Sequence, residues 1–322
     1  MGIGEWIIVA LLVAAGLIGL HAARLKRGQR MAEEAAPRIG KTTRVPGGAI
    51  HWVESGEGPP IVLIHGLGGQ FRHWTYAVAE KLADDYRVIS IDRPGSGYSE
   101  RDSDDHAALS IQARMIADFL DAEGIERPLV AGHSLGGAVT LTLALEHPEK
   151  IAGFALVAPL THPTTNVSQA FSGLGVTSPL MRRALAWTLA VPMAKKYAEA
   201  TLAMVFAPEP APDDFVTRGG GVLGLRPRAF VATSADFVAA GAIGDLSPRW
   251  EAITLPGGVL YGDEDALLDH KEQGEALVGR LPHLDWHVLE GRGHMLPITA
   301  PDETADFIRR MAERAFAPTV AG

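Results

Sequence analysis

Apolar and polar positions along the chain fall into three regimes. Trp6–Leu20 reads WIIVALLVAAGLIGL, with no charged residue. Extending it to Ile3 admits Glu5, and to Ala23 admits His21. The apolar span is then about 18 residues, at the short end of what crosses a bilayer as a helix. From residue 42 onward, short apolar runs alternate with helical periodicity. Thr42–Val45 and Ile50–Ser55 flank Pro46-Gly47-Gly48 and predict a hairpin. Ile61–His65, Arg87–Asp92, Leu129–Gly132, Phe154–Ala158, Gly258–Tyr261 and Asp285–Leu289 predict buried strands. Helical patterns run over Phe71–Ala83, Ile111–Glu123 with Ser110 as its cap, Ala138–Glu146, His270–Leu281 and Pro301–Phe316. Such alternation specifies a mostly parallel sheet with helices on both faces, whose ligands gather at the C-terminal edge of the strands.

Residues 161–247 break this rhythm. They contain no buried-strand run, are rich in Ala, Pro and Gly, and hold helical stretches from Ser178-Pro179 to Ala190 and from Pro192 to Phe206. In each stretch a proline stands where a first helical residue belongs. The sheet pattern resumes at Gly258, so the segment reads as a helical cap inserted into the sheet domain. The expected organisation is a membrane anchor over 1–24, a tether over 25–41, an α/β core over 42–160 and 248–318, and a cap over 161–247.

The charges around the apolar N-terminal run refine its reading. A cleaved signal peptide carries a basic stretch ahead of its apolar core. Here Glu5 precedes the run, and Arg24, Lys26, Arg27 and Arg30 follow it. The run is apolar all round, without the polar face of a helix that lies on a membrane surface. A single-pass anchor is therefore expected, with the lipid bilayer as a partner and the body of the chain in the cytoplasm. With hydrophobic residues at 47%, the 322-residue chain has ample material for a core and is not a disordered composition. The net charge is −9, and no basic cluster follows the tether, which argues against nucleic acid as a partner. The absence of cysteine excludes disulfides, a thiolate nucleophile and cysteine–metal sites. No metal-ligand cluster or cofactor loop is visible, so no cofactor is expected.

The candidate chemistry starts at Gly132-His133-Ser134-Leu135-Gly136, between a predicted strand and a predicted helix. A serine on so sharp a turn needs small neighbours and is pushed out at the sheet edge and the helix N-terminus. A serine hydroxyl is a weak nucleophile until a base takes its proton. Of twelve histidines, His294 lies just past the predicted strand Asp285–Leu289, where such a base must hang. His287 lies within that strand and His283 before it. The imidazole then needs a carboxylate to hold one tautomer. Gly262-Asp263-Glu264-Asp265 follows the strand ending near Tyr261, and Asp265 is favoured over Asp263, which would stabilise the turn. An oxyanion needs N–H donors. His65-Gly66-Leu67-Gly68-Gly69 supplies one loop, and the backbone N–H groups of Leu67 and Leu135 are the candidate pair. That loop lacks the Lys-Ser/Thr of a nucleotide loop and the spacing of a dinucleotide fingerprint.

HGLGG at 65–69, SIDRPGSGYS at 90–99, GHSLGG at 132–137, GDED at 262–265 and GRGHMLP at 291–297 resemble the α/β-hydrolase superfamily, in the chain order Ser, Asp, His. The resemblance covers about residues 42–316, the cap matching only by position. It implies an α/β-hydrolase fold with a catalytic triad of Ser134, Asp265 and His294 and oxyanion amides from Leu67 and Leu135. It also implies a structural role for Asp92 in the turn that continues Arg93-Pro94-Gly95. Dehalogenases and epoxide hydrolases of this fold would carry aspartate in place of Ser134. The expected function is hydrolysis of carboxylic esters of a small-molecule acyl substrate, with apolar residues of the stretch Leu180–Phe206, among them Met181, Leu185, Trp187, Leu189, Met193, Leu202, Met204, Val205 and Phe206, as candidates for an acyl pocket. Cleavage of carbon–carbon bonds or lactones by the same residues, and a non-catalytic scaffold, are the alternatives.

Overall fold

A computed structural model describes residues 2–164 and 169–317. Met1, residues 165–168 of the expected cap, and residue 318 at the expected end of the core lie outside them.

The elements in chain order are α1 (Ile3–Ala35), β1 (Lys41–Val45), β2 (Gly48–Ser55), β3 (Pro60–Ile64), α2 (Arg72–Thr75), α3 (Val78–Leu82), β4 (Arg87–Ile91), β5 (Glu100–Arg101), α4 (Leu109–Ala122), β6 (Leu129–His133), α5 (Leu135–Glu146) and β7 (Gly153–Val157). Then come α6 (Pro179–Leu185), α7 (Val191–Lys196), α8 (Ala198–Phe206), α9 (Pro227–Ala239) and α10 (Ile243–Leu246). The chain closes with β8 (Gly257–Gly262), α11 (Ala276–Arg280), β9 (Asp285–Leu289), α12 (Leu296–Thr299) and α13 (Pro301–Phe316). One sheet runs β1-β2-β4-β3-β6-β7-β8-β9, with β5 paired to β2. β1, β2 and β4 pair antiparallel, and from β4 to β9 every pairing is parallel.

Strand periodicity builds the two faces of this sheet. On β3, Val62 and Ile64 point into a core formed with α4 and α5, while Ile61 and Leu63 point to the opposite core formed with α3 and α13. Both faces are covered, so the central parallel strands β3, β6, β7 and β8 are buried almost throughout. Helix α5 is buried almost all round, which is why it lacks a polar stripe. Between β7 and β8 the described residues form helices and turns but no strand, and this layer lies over the C-terminal edge of the sheet.

Several local expectations are corrected. The pattern Phe71–Ala83 splits into α2 and α3, because Ala77 turns out of the helical conformation between them. Helix α4 starts one residue before Ser110, and the Ser110 hydroxyl donates to Glu146 (3.1 Å) instead of capping. Pro192 does not open a separate helix. α6 and α7 form one run through a widened π turn at Ala186–Ala190. A proline removes an amide from the helical ladder, and the wider turn ahead of it takes up the gap. The short strand β5 has no apolar signal.

The largest correction concerns residues 25–41. Residues 25–35 are not a loose tether but the second half of α1. Leu25, Ala32 and Ala36 fall on one helical face and are buried against the body. Tyr98 donates its hydroxyl to the Ala36 carbonyl (2.6 Å), Arg72 donates to the Pro37 carbonyl (2.7 Å), and Arg226 reaches Glu33 (3.4 Å). Every described side chain from Trp6 to Leu20 is exposed by contrast. Among the described residues two helical stretches are long and apolar enough to cross a membrane, Trp6–Ala35 and Pro227–Ala252. The second buries Ala232, Ala235, Ile243 and Trp250 in the body.

Candidate active site

β6 brings the chain to His133 and α5 takes it away from Leu135, so Ser134 alone makes the turn. Its φ of 55° and ψ of −121° are a conformation that L-residues avoid, held at about 1–3 kcal/mol of strain. The turn is pinned on both sides. Ser134 N–H donates to Val157 O (3.0 Å), and Ser134 O accepts from Gly137 (2.9 Å) and Leu160 (3.0 Å). A side chain at Gly132 would strike Thr140, and one at Gly136 would strike the Ile64 carbonyl. Only glycine lets strand, helix and the neighbouring β3 close on this turn.

Parallel pairing places the other predicted residues on the same edge. The loop after β3 holds Gly66 so close that a Cβ on it would lie 2.9 Å from Ser134 Cβ. Leu67 follows in that loop. Leu135 is the first residue of α5, where a peptide N–H has no intrahelical acceptor. The loop after β8 carries Asp265, and the loop after β9 carries His294. Asp265 Oδ2 lies 2.7 Å from His294 Nδ1, while its Oδ1 accepts from Leu267 (2.8 Å) and Leu268 (3.0 Å). Asp265 is fully buried and His294 nearly so. Asp263 instead accepts from Gly291 N–H (2.7 Å), bracing the two loops against each other. Of the rejected histidines, His283 reaches the Leu255 carbonyl (3.2 Å) and His287 packs on Phe307, both remote from Ser134.

Ser134, His294, Leu67 and Leu135 line one cavity of about 1390 Å³. Its wall is apolar, with Leu185, Leu189, Met193, Leu202 and Val205 from the cap stretch. Met181 and Trp187 are exposed outside it, and Phe206 is buried with Phe215, Met295 and Ile298. No Lys, Arg, Asp or Glu stands among its described lining residues. Among the described residues no group of side chains could hold a metal ion.

The sequence reading missed several residues around this edge. His133, next to the serine, donates from Nε2 to the His294 carbonyl (3.0 Å), and its ring lies 4.8 Å from the His294 ring. The carbonyl can only accept, so His133 is the Nε2–H tautomer, and its buried Nδ1 has no partner among the described residues. His73 lines the cavity wall. Its position in the loop-to-helix segment after HGLGG was the only available signal. Asp92 is fully buried and accepts from Phe71 N–H (2.7 Å) and Tyr98 N–H (2.7 Å), with His51 Nδ1 at 2.8 Å. It ties the 65–71 loop to the turn that follows β4.

Burial pushes His65 and His133 well below the ordinary histidine range and His73 down to about 4. These rings stay neutral in the fold but ionise near pH 6.5 once unfolded. The unfolded state therefore takes up protons first as pH falls, and stability is lost from about pH 6.5 downward. For His73 alone the loss at pH 5 is roughly 2 kcal/mol. Thermal unfolding should show a flat midpoint above pH 7.5 and a falling one from pH 6.5 to 5. A midpoint that holds constant down to pH 5 contradicts this account.

The chain matches the family described as alpha/beta hydrolase fold over residues 59–301. A 2-hydroxymuconate semialdehyde hydrolase of Pseudomonas sp. (strain CF600) is 34% identical over 158 residues, 48% of this chain and 56% of that protein. A 2-hydroxy-6-oxo-6-phenylhexa-2,4-dienoate hydrolase of Comamonas testosteroni is 34% identical over 113 residues, 34% of this chain and 40% of that protein. The chain thus spans about half or less of the length of these curated relatives. Among solved structures, a membrane phospholipase A described as a novel bacterial virulence factor superposes with a TM-score of 0.63 at 24% identity, over 98% of both chains. The enol-lactonase from Burkholderia xenovorans LB400 superposes with a TM-score of 0.69 at 21% identity, over 84% of this chain and 99% of that one. These structures share the fold. The family match runs from the start of β3 to the start of α13, through every loop that meets at the serine, and the chain belongs to the α/β-hydrolase fold family.

Proposed function

We propose that this chain is a membrane-anchored serine hydrolase that cleaves carboxylic esters of apolar substrates through an acyl-enzyme. The observation that carries the reading is the hydrogen-bonded Asp265–His294 pair, whose imidazole stands on the wall of the same apolar cavity as the strained Ser134. The carboxylate holds the Nδ1–H tautomer, so Nε2 is the free base. His294 takes the Ser134 proton, and Ser134 Oγ attacks the acyl carbon. The oxyanion is held by the N–H groups of Leu67 and Leu135. His294 returns the proton to the departing alkoxide, and water repeats the sequence on the acyl-enzyme.

The cavity chemistry supports this reading over its rival. The curated relatives include hydrolases named for a dienoate substrate, a carboxylate. An anion buried in a cavity wants a cationic partner, and none stands among the described lining residues. A neutral ester with a long apolar acyl group suits a wall of leucines and methionines. Relatives named as a haloalkane dehalogenase and an epoxide hydrolase share the family, but this chain presents serine at the turn.

In this reading Trp6–Leu20 crosses the bilayer once, and Arg24, Lys26, Arg27 and Arg30 keep the body on the cytoplasmic side. Support comes from the exposure of that stretch and from the likeness, along nearly the whole chain, to a protein named as a membrane phospholipase. Leu180, Met181 and Leu189 are exposed on the cap run that also contributes Leu185, Leu189 and Met193 to the cavity wall.

The test uses the full chain in membranes. It should resist extraction by alkaline carbonate, take a fluorophosphonate label on Ser134, and hydrolyse long-chain p-nitrophenyl esters faster than a ring-cleavage dienoate. Faster turnover of the dienoate sinks the ester assignment, and release by carbonate sinks the anchor.

A further inference from the structure

The loop that carries Leu67 is held from behind by a buried arginine. Arg93, fully buried, donates from Nε to His65 O (2.9 Å) and from Nη2 to Gly66 O (3.0 Å). His65 adds a second bond to Gly66 O from Nδ1 (2.8 Å), because its Nε2 already accepts from Arg93 N–H (2.9 Å). In a trans peptide the carbonyl and the following N–H point in opposite directions. The Gly66 carbonyl is fixed toward Arg93, so the Leu67 N–H is fixed away from it. Turning that peptide would break both of these side-chain bonds and the Gly69 N–H bond to the same oxygen (3.3 Å).

Arg93 is in turn held by the cap. Its Nη1 donates to Gln112 (2.9 Å) and to Asp236 Oδ2 (2.9 Å) on α9. Asp236 is fully buried, and its other oxygen accepts from Arg101. The same helix presents Phe230, Thr233 and Phe237 to the cavity. One rigid element thus faces the substrate on one side and anchors the arginine on the other.

We infer that Arg93 and Asp236 are positioning residues that aim the Leu67 N–H at the oxyanion, tying this donor to the seating of the cap. The inference rests on the proposed ester hydrolysis, in which Leu67 supplies that donor. A lysine keeps a cation for Asp236 but cannot serve two carbonyls and two side chains as a planar fork does.

The experiment compares the native chain with Arg93→Lys and Asp236→Asn. It reads kcat, KM for a p-nitrophenyl ester, affinity for an alkylboronic acid that forms a tetrahedral serine adduct, and thermal midpoint. Losing one oxyanion donor lowers kcat about a hundredfold or more, and misaiming it should lower kcat by roughly ten- to a hundredfold. Boronate affinity should fall by the same factor while KM stays within about threefold. A purely structural role would lower the midpoint and leave kcat and boronate affinity untouched in the folded fraction. Folded Arg93→Lys with kcat and boronate affinity unchanged overturns the inference. So does loss of fold in both variants, which would assign the cluster to stability alone. If the native chain neither turns over esters nor binds boronate, the proposed function fails first, a distinct result read before any variant is compared.

Discussion

Ser134→Ala will lower kcat for ester hydrolysis by about 10⁴- to 10⁶-fold and leave the protein folded. The variant removes one oxygen, the only atom of that residue that attacks. Alanine accepts the same left-handed turn no worse than serine, and the backbone bonds to Val157, Gly137 and Leu160 do not involve the side chain. The midpoint should therefore stay near the native one. On the proposed mechanism, what remains of the rate comes from the Leu67 and Leu135 amides and from substrate binding, which need no nucleophile. Labelling by a fluorophosphonate should disappear altogether. Turnover within tenfold of native, in protein freed of wild-type contamination, would remove Ser134 from the chemistry and the proposed function with it.

Asp265→Asn comes next in size, with kcat lowered by about 10³- to 10⁴-fold at neutral pH. The asparagine is the same shape and can still accept at Oδ1 from Leu267 and Leu268, so the loop after β8 keeps its form. Its amide would present N–H to His294 Nδ1, which must then accept. The proton moves to Nε2, the nitrogen that should receive the serine proton. Geometry survives and the tautomer is wrong. The asparagine also leaves the imidazolium formed in the transition state without a countercharge. Measured kcat across pH, beside a retained thermal midpoint, checks this. Asp263→Asn is the companion: its carboxylate accepts from the Gly291 amide, away from His294, and the variant should leave kcat within a few-fold of native. Equal losses in the two variants would dissolve the distinction between the carboxylates.

Much of this architecture was legible along the chain because local chemistry and global position agree there. Asp285–Leu289 and Pro301–Phe316 have the bounds their patterns predict. The glycine-bearing loops after β3, β4, β6, β8 and β9 announce themselves because each follows a strand and must let backbones approach. The preference for Asp265 over Asp263 as the partner of His294 rested on turn length alone, and the hydrogen bonds give each carboxylate its own partner. Two residues apart on one loop, they differ only in which way the turn swings them. The Arg93–Asp236 link joins residues 143 positions apart, one in a turn and one on a cap helix, and no local pattern relates them. The docked half of α1 was misread for another physical reason. Residues 25–35 are mostly charged or small, which suits a solvated tether as well as a helix. The difference lies in the surface waiting for Leu25, Ala32 and Ala36, which belongs to distant parts of the chain.

That helix has a mechanical consequence. A soft linker would let the body swivel freely above its attachment, and an unbroken rod does not. Helix α1 runs without interruption from the apolar stretch to the face buried on the body. Any lean of the outer half is therefore handed on as a lean of the whole sheet. Each residue gained or lost near Ala22–Ala23 would swing the cavity mouth by about 100° and shift it by about 1.5 Å. Spacing in this stretch thus sets a bearing as well as a distance.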